Sequence, residues 1–184
     1  MNYLREWDTR VRLPEQVIRD RRPILRRTLR GLPDRHLAAL VKGLSAHCDE
    51  LVPGRLFDAR GGCAVGVMLR ELDPERYAPG RWRYLLRERW RRSVGSDWDL
   101  KRAFPRLVHL EMSFDRSVKI ARNERPELSD QEAAREVGRW FLAEARREVA
   151  LRERAAGALI RARLTGERRL AVGLGRQAKD PQAA

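Results

Sequence analysis

The chain has 184 residues, 42% hydrophobic and 36% charged, with 40 Lys+Arg against 26 Asp+Glu and a formal net charge of +14. That length suits one domain with its own core. The composition excludes a collagen-like, mucin-like or disulfide-scaffold chain, and its helically spaced apolar residues argue against wholesale disorder.

All but four of the basic residues are Arg, the exceptions being Lys42, Lys101, Lys119 and Lys179. A GC-rich bacterial genome explains Arg over Lys. It does not explain the shortage of acids, which points to a polyanionic partner. The two cysteines, Cys48 and Cys63, make no disulfide framework. Charge studs the first twenty residues, and no apolar run approaches the length of a bilayer span. The expectation is a soluble protein of the bacterial cytoplasm, without a membrane.

The apolar spacing is helical almost throughout. Leu13-Pro14-Glu15 predicts a helix start, with Val17, Ile18, Leu25 and Leu29 on its inner face. Pro23 should kink or split this helix, and Gly31-Leu32-Pro33 should end it. The clearest helix spans Pro33 to Leu51, with Leu37, Leu40, Val41, Leu44, Cys48 and Leu51 in one stripe. Gly62 to Leu72 predicts a short helix, broken by Asp73-Pro74. Arg81 to Arg92 predicts a basic helix, and Trp98 to Asn123 another, its main part starting at Pro105.

Ser129-Asp130-Gln131-Glu132 fits a capping box, a hydroxyl cap with Glu three residues on. A long helix to about Leu164 should follow. Arg152 interrupts its apolar stripe, so a bend or exposed end is expected there. Thr165 to Ala184 holds Gly166, Gly173, Gly175 and Pro181, and reads as a mobile tail. The fold expectation is therefore all-α: a single compact domain of about five to seven helices over 1–164, with a long C-terminal helix and a tail over 165–184.

Two basic clusters stand out. Residues 81–92 hold six Arg against one Glu, interleaved with Trp82, Tyr84 and Trp90. The two Trp fit the core, which leaves Arg83, Tyr84, Arg87, Arg91 and Arg92 to contact phosphate and stack on bases. The second cluster is Arg19, Arg21, Arg22, Arg26, Arg27 and Arg30, in which Arg19, Arg22 and Arg26 share a helical face.

Cys63, after Arg60-Gly61-Gly62, has two readings. At a helix N-terminus beside Arg60 it could be an activated thiolate nucleophile. In a tight helix contact, with Gly62 and Gly66 letting a backbone approach, it is a small core residue, and this reading is favoured. His47, Cys48, Cys63 and His109 lack the paired spacing of a zinc site, so no metal is expected. A helix-turn-helix over residues 129–150 is rejected, because the positions its second helix should bury are Glu144 and Arg147. No phosphate loop, dinucleotide fingerprint or metalloprotease motif occurs, and no cofactor is expected.

The leading expectation is a non-enzymatic nucleic-acid-binding protein that meets DNA or RNA phosphates through Arg. The alternatives are a helical module docking an acidic protein and a small thiol-dependent enzyme using Cys63. A homodimer through the long C-terminal helix is a further expectation.

Overall fold

A computed structural model of the chain describes residues 13–54, 56, 61–75 and 98–177. The basic run at 81–92, with Arg83, Tyr84, Arg87, Arg91 and Arg92, lies outside the described residues, as does Arg60.

Five α-helices occur among the described residues: α1 (Glu15–Arg30), α2 (Asp34–His47), α3 (Ala64–Leu72), α4 (Trp98–Glu124) and α5 (Asp130–Gln177). A single 3-10 turn, Cys48–Glu50, extends α2. The described residues hold no strand, only one parallel bridge between Leu51 and Gly62. The fold is all-α.

Pro23 sits inside α1 without dividing it. The proline is exposed, so the carbonyl it leaves without an N–H partner can turn to water, while buried Val17, Leu25 and Leu29 hold both halves of the helix down. Pro105 likewise lies within α4 and does not begin it.

The Pro33–Leu51 stripe forms in part: the α-helix stops at His47, Val41 and Cys48 are half-buried, and Leu51 lies on extended backbone that bridges Gly62. Leu37, Leu40 and Leu44 of α2 are buried, and Leu51 beyond the 3-10 turn is fully so. Helix α3 packs on α2 at close range. A Cβ at Gly43 would run into the Val67 backbone, so glycine there sets the approach of the two helices. Gly61 and Gly62 serve the return of the chain. A side chain on Gly61 would overlap the Glu50 carbonyl, and Val52 N–H donates to the Gly62 carbonyl at 3.0 Å.

Phe114 of α4 and Phe141 of α5 meet edge to face at 5.6 Å, and Trp140 packs on Phe141 at 5.3 Å. Leu25, Leu29, Leu40, Leu44 and Met68 are fully buried along with the two Phe. The capping box at the start of α5 is present. Ser129 N–H donates to Glu132 Oε2 at 2.7 Å, and Glu132 N–H returns a hydrogen bond to Ser129 Oγ at 3.2 Å.

Helix α5 has no turn at Gly138. The glycine lies where a Cβ would strike Leu51 and crowd the Cys48 sulfur, so it is a packing site within one helix. Rejection of the helix-turn-helix agrees with this geometry.

The described chain divides into two compact units, Met1–Val149 and Ala150–Ala184. The core-facing stripe of α5 closes with Ala145 and half-buried Val149, before Arg152 breaks it. In the second unit the backbone is helical to Gln177, beyond the Leu164 limit expected from sequence. Ala, Leu and Arg there are good helix formers, and no proline intervenes before Pro181. Leu151, Leu159 and Ile160 are exposed.

Candidate polyanion-binding surface

The second basic cluster lies on α1, and packing divides it. One flank of α1 faces α5. Arg26 Nε donates to Glu144 Oε2 at 2.7 Å and its Nη2 reaches Oε1 at 3.5 Å. Arg22 Nε stands 2.7 Å from Oε1, off the line of its N–H. Glu144 is only 5% exposed, so one buried carboxylate holds two guanidinium groups. The expected polyanion contacts at Arg22 and Arg26 are thus committed to an internal ion cluster. Arg19, the third member of that set, is exposed and makes a 3.4 Å contact to neighbouring Asp20. An exposed pair of this kind contributes little and leaves the cation accessible.

The other flank faces α4, which packs on α1. The two helices run antiparallel: Arg106 lies against Gly31, and Arg116 lies near enough to Arg21 to repel it. Arg21 is half-buried. Loss of solvent, then the Arg116 charge, pull its guanidinium below the usual arginine range, and Asp20 counters only in part. The Arg21 Nε is sealed from solvent without an acceptor among the described residues.

Helix α4 supplies a face that the sequence reading did not single out. Arg106, His109, Met112, Arg116 and Lys119 are all exposed. Their spacing of three and four places them on one side, opposite buried Leu107, Leu110, Phe114 and Val118. The signal was present in the sequence, because basic residues fall between the apolar positions at helical period. It was masked by the denser arginine runs elsewhere.

Away from that surface, several of the described cations meet carboxylates. Arg70 Nη1 donates to Glu50 at 2.9 Å, Lys42 contacts Glu71 at 2.6 Å, and His47 lies between the two acids at 3.2 and 3.5 Å. Burial works to raise the Glu50 carboxyl, but hydrogen bonds from His47 and Arg70 outweigh it and hold the group below its ordinary value. The Lys42 hydrogen bond, against a smaller effect of burial, lowers Glu71. Arg125 bridges Glu127 and Glu136, Arg122 pairs with Asp130, and Arg135 with Asp49.

Cys63 takes the position just before α3, as expected, but without the expected chemistry. It is fully buried. Burial above all, with Glu111 and Asp115 adding negative charge, drives its thiol far above the ordinary range, and the backbone N–H groups of Gly66 and Val65 cannot compensate. A nucleophile needs the thiolate, so this environment favours the core reading. Among the described residues no group of three or more His, Cys, Asp or Glu could hold a metal. No described helix is long and apolar enough to cross a membrane.

Comparison with protein-family models, curated proteins and solved structures finds no match for this chain.

Proposed function

We propose that the protein binds nucleic acid, without catalysis, through arginine contacts to the phosphate backbone. One observation carries this reading. The exposed faces of α1 and α4 bring Arg27, Arg106, Arg116 and Lys119 to the surface, with no carboxylate in ion-pair contact with any of them among the described residues. Surplus guanidinium gathered on one side raises the local potential and draws a polyanion. The 81–92 run, with Arg83, Arg87, Arg91 and Arg92 around Tyr84, extends the same chemistry in sequence. We place the protein in a reducing bacterial cytoplasm, where its two free cysteines stay thiols.

Purification without nuclease, followed by the 260 to 280 nm absorbance ratio, tests the partner class directly. Co-purifying nucleic acid and an affinity that falls steeply with salt are expected. Tight binding that ignores salt, or none at low ionic strength, overturns the proposal. Replacing Arg83, Arg87 and Arg91 with Glu should abolish binding while the helical circular dichroism persists.

A second reading has its own observation. On the second unit Leu159 and Ile160 are 72% and 61% exposed, which suits an apolar protein contact. Residues 150–177 hold seven Arg and two Glu. That excess favours an acidic protein partner over a second copy of this chain, and it weakens the homodimer expected through the long helix.

A further inference from the structure

Arg116 is exposed, and solvation alone accounts for a cation in that position. Solvation serves Arg21 less well, since the residue is half-buried. Its Nε is closed off from water and lacks an acceptor among the described residues, and Arg116 across the helix contact is near enough to repel it. Two arginines from separate helices, held together by a core that includes Leu25, Leu107, Leu110 and Phe114, are pre-positioned at a cost in mutual repulsion. An anion seated between them removes that repulsion and supplies acceptors in the geometry that guanidinium donors match.

The rest of the contact has a matching layout. Along the α1–α4 contact Arg21 stands near Arg116 at one end, and Arg106 lies against Gly31 at the other. A cationic pair at one end and a further cation, Arg106, at the other follow from these two contacts. The two ends lie about 15 Å apart along the helix axes, from ten residues of α-helical rise.

We infer that the α1–α4 contact is a phosphate-binding groove, with Arg21 and Arg116 gripping one phosphate and Arg106 meeting another on the same strand. This inference rests on the nucleic-acid reading and gives it a site among the described residues.

The test compares binding of a labelled single-stranded oligonucleotide and of inorganic phosphate. The proteins are the full chain, Arg116→Gln, the double variant Arg21→Met/Arg116→Gln, and a charge-matched control, Arg139→Gln, on α5. The double variant should bind the strand at least about tenfold more weakly, and its log affinity against log salt should flatten by about 1.4, two ionic contacts at roughly 0.7 each. Inorganic phosphate should raise the melting temperature of the full chain and leave that of the double variant unmoved. Wild-type strand affinity and slope in the double variant would overturn the groove, with nucleic-acid binding left to other surfaces. Absence of strand binding by the full chain, with phosphate protection that needs Arg21 and Arg116, would overturn the nucleic-acid reading and leave a small-anion site. Should the double variant not fold, Arg116→Gln decides, since its side chain is exposed: strand affinity equal to that of the control sinks the groove.

Discussion

On its α5 flank, helix α1 sets Arg22 and Arg26 against Glu144; on its α4 flank, it sets Arg21 against Arg116. The residue type is the same, the helix is the same, and the positions are neighbours. One flank meets a buried carboxylate and becomes an internal ion cluster. The other meets a like charge and has no carboxylate in ion-pair contact with it among the described residues. Counting arginines therefore states how much positive charge the protein carries, while the residue facing each arginine decides whether a ligand can use it.

The largest way to break this contrast is to remove the anchor common to both flanks. Leu25 is fully buried, so Leu25→Ala should destabilise the fold by about 3 kcal/mol through lost burial and a cavity. Urea denaturation should show this, together with a loss of strand binding at concentrations where the variant begins to unfold.

The next effect isolates the α5 flank. Glu144→Gln leaves two guanidiniums without their carboxylate, and because both are about a third exposed, the expected cost is about 2 kcal/mol, below that of a fully buried pair. The same variant should bind a polyanion more tightly, since Arg22 and Arg26 become available. Lower stability with unchanged affinity would show that these arginines stay inaccessible whatever faces them.

The carboxylate-rich side offers a pH counterpart. Glu50 and Glu71 have folded-state values held below the ordinary 4.5. Their contribution is thus fully present above about pH 4.5 and is lost as pH falls through the lower folded values. Melting temperature should fall with acid in the native chain, and Glu50→Gln/Glu71→Gln should flatten that limb. An unchanged limb would assign acid unfolding to other groups.

The smallest effect has the opposite sign. Arg116→Gln removes a repulsive charge from an exposed position and should stabilise the fold by a few tenths of a kcal/mol, less at high salt. A loss of stability would mean that Arg116 has a partner contact of its own, and the contrast between the flanks would narrow.

Much of the fold was legible in the sequence. The Leu37–Leu40–Leu44 stripe, the short helix after Gly62 and the Ser129–Glu132 capping box all form, because each depends on residues within a turn or two of one another. Pro23 and Pro105 misled, since a proline breaks a helix only where its neighbours cannot hold the two halves and water cannot reach the freed carbonyl. The site was legible in part. Composition pointed to arginine, and Arg19 is exposed as expected. Arg22 and Arg26 shared a helical face as expected, yet that face turned to Glu144, 118 residues away in the chain.

Helical period, capping and net charge are local or additive properties, so the amino-acid sequence determined by itself that this is an all-α protein with an arginine surplus. Which cations are neutralised is neither local nor additive. It depends on which helices pack flank to flank, and only the tertiary structure decided that Glu144 would claim Arg22 and Arg26 while Arg21 would meet Arg116. The physical reason is range: backbone hydrogen bonding acts over a few residues, whereas a charge responds to whatever burial brings within a few ångströms.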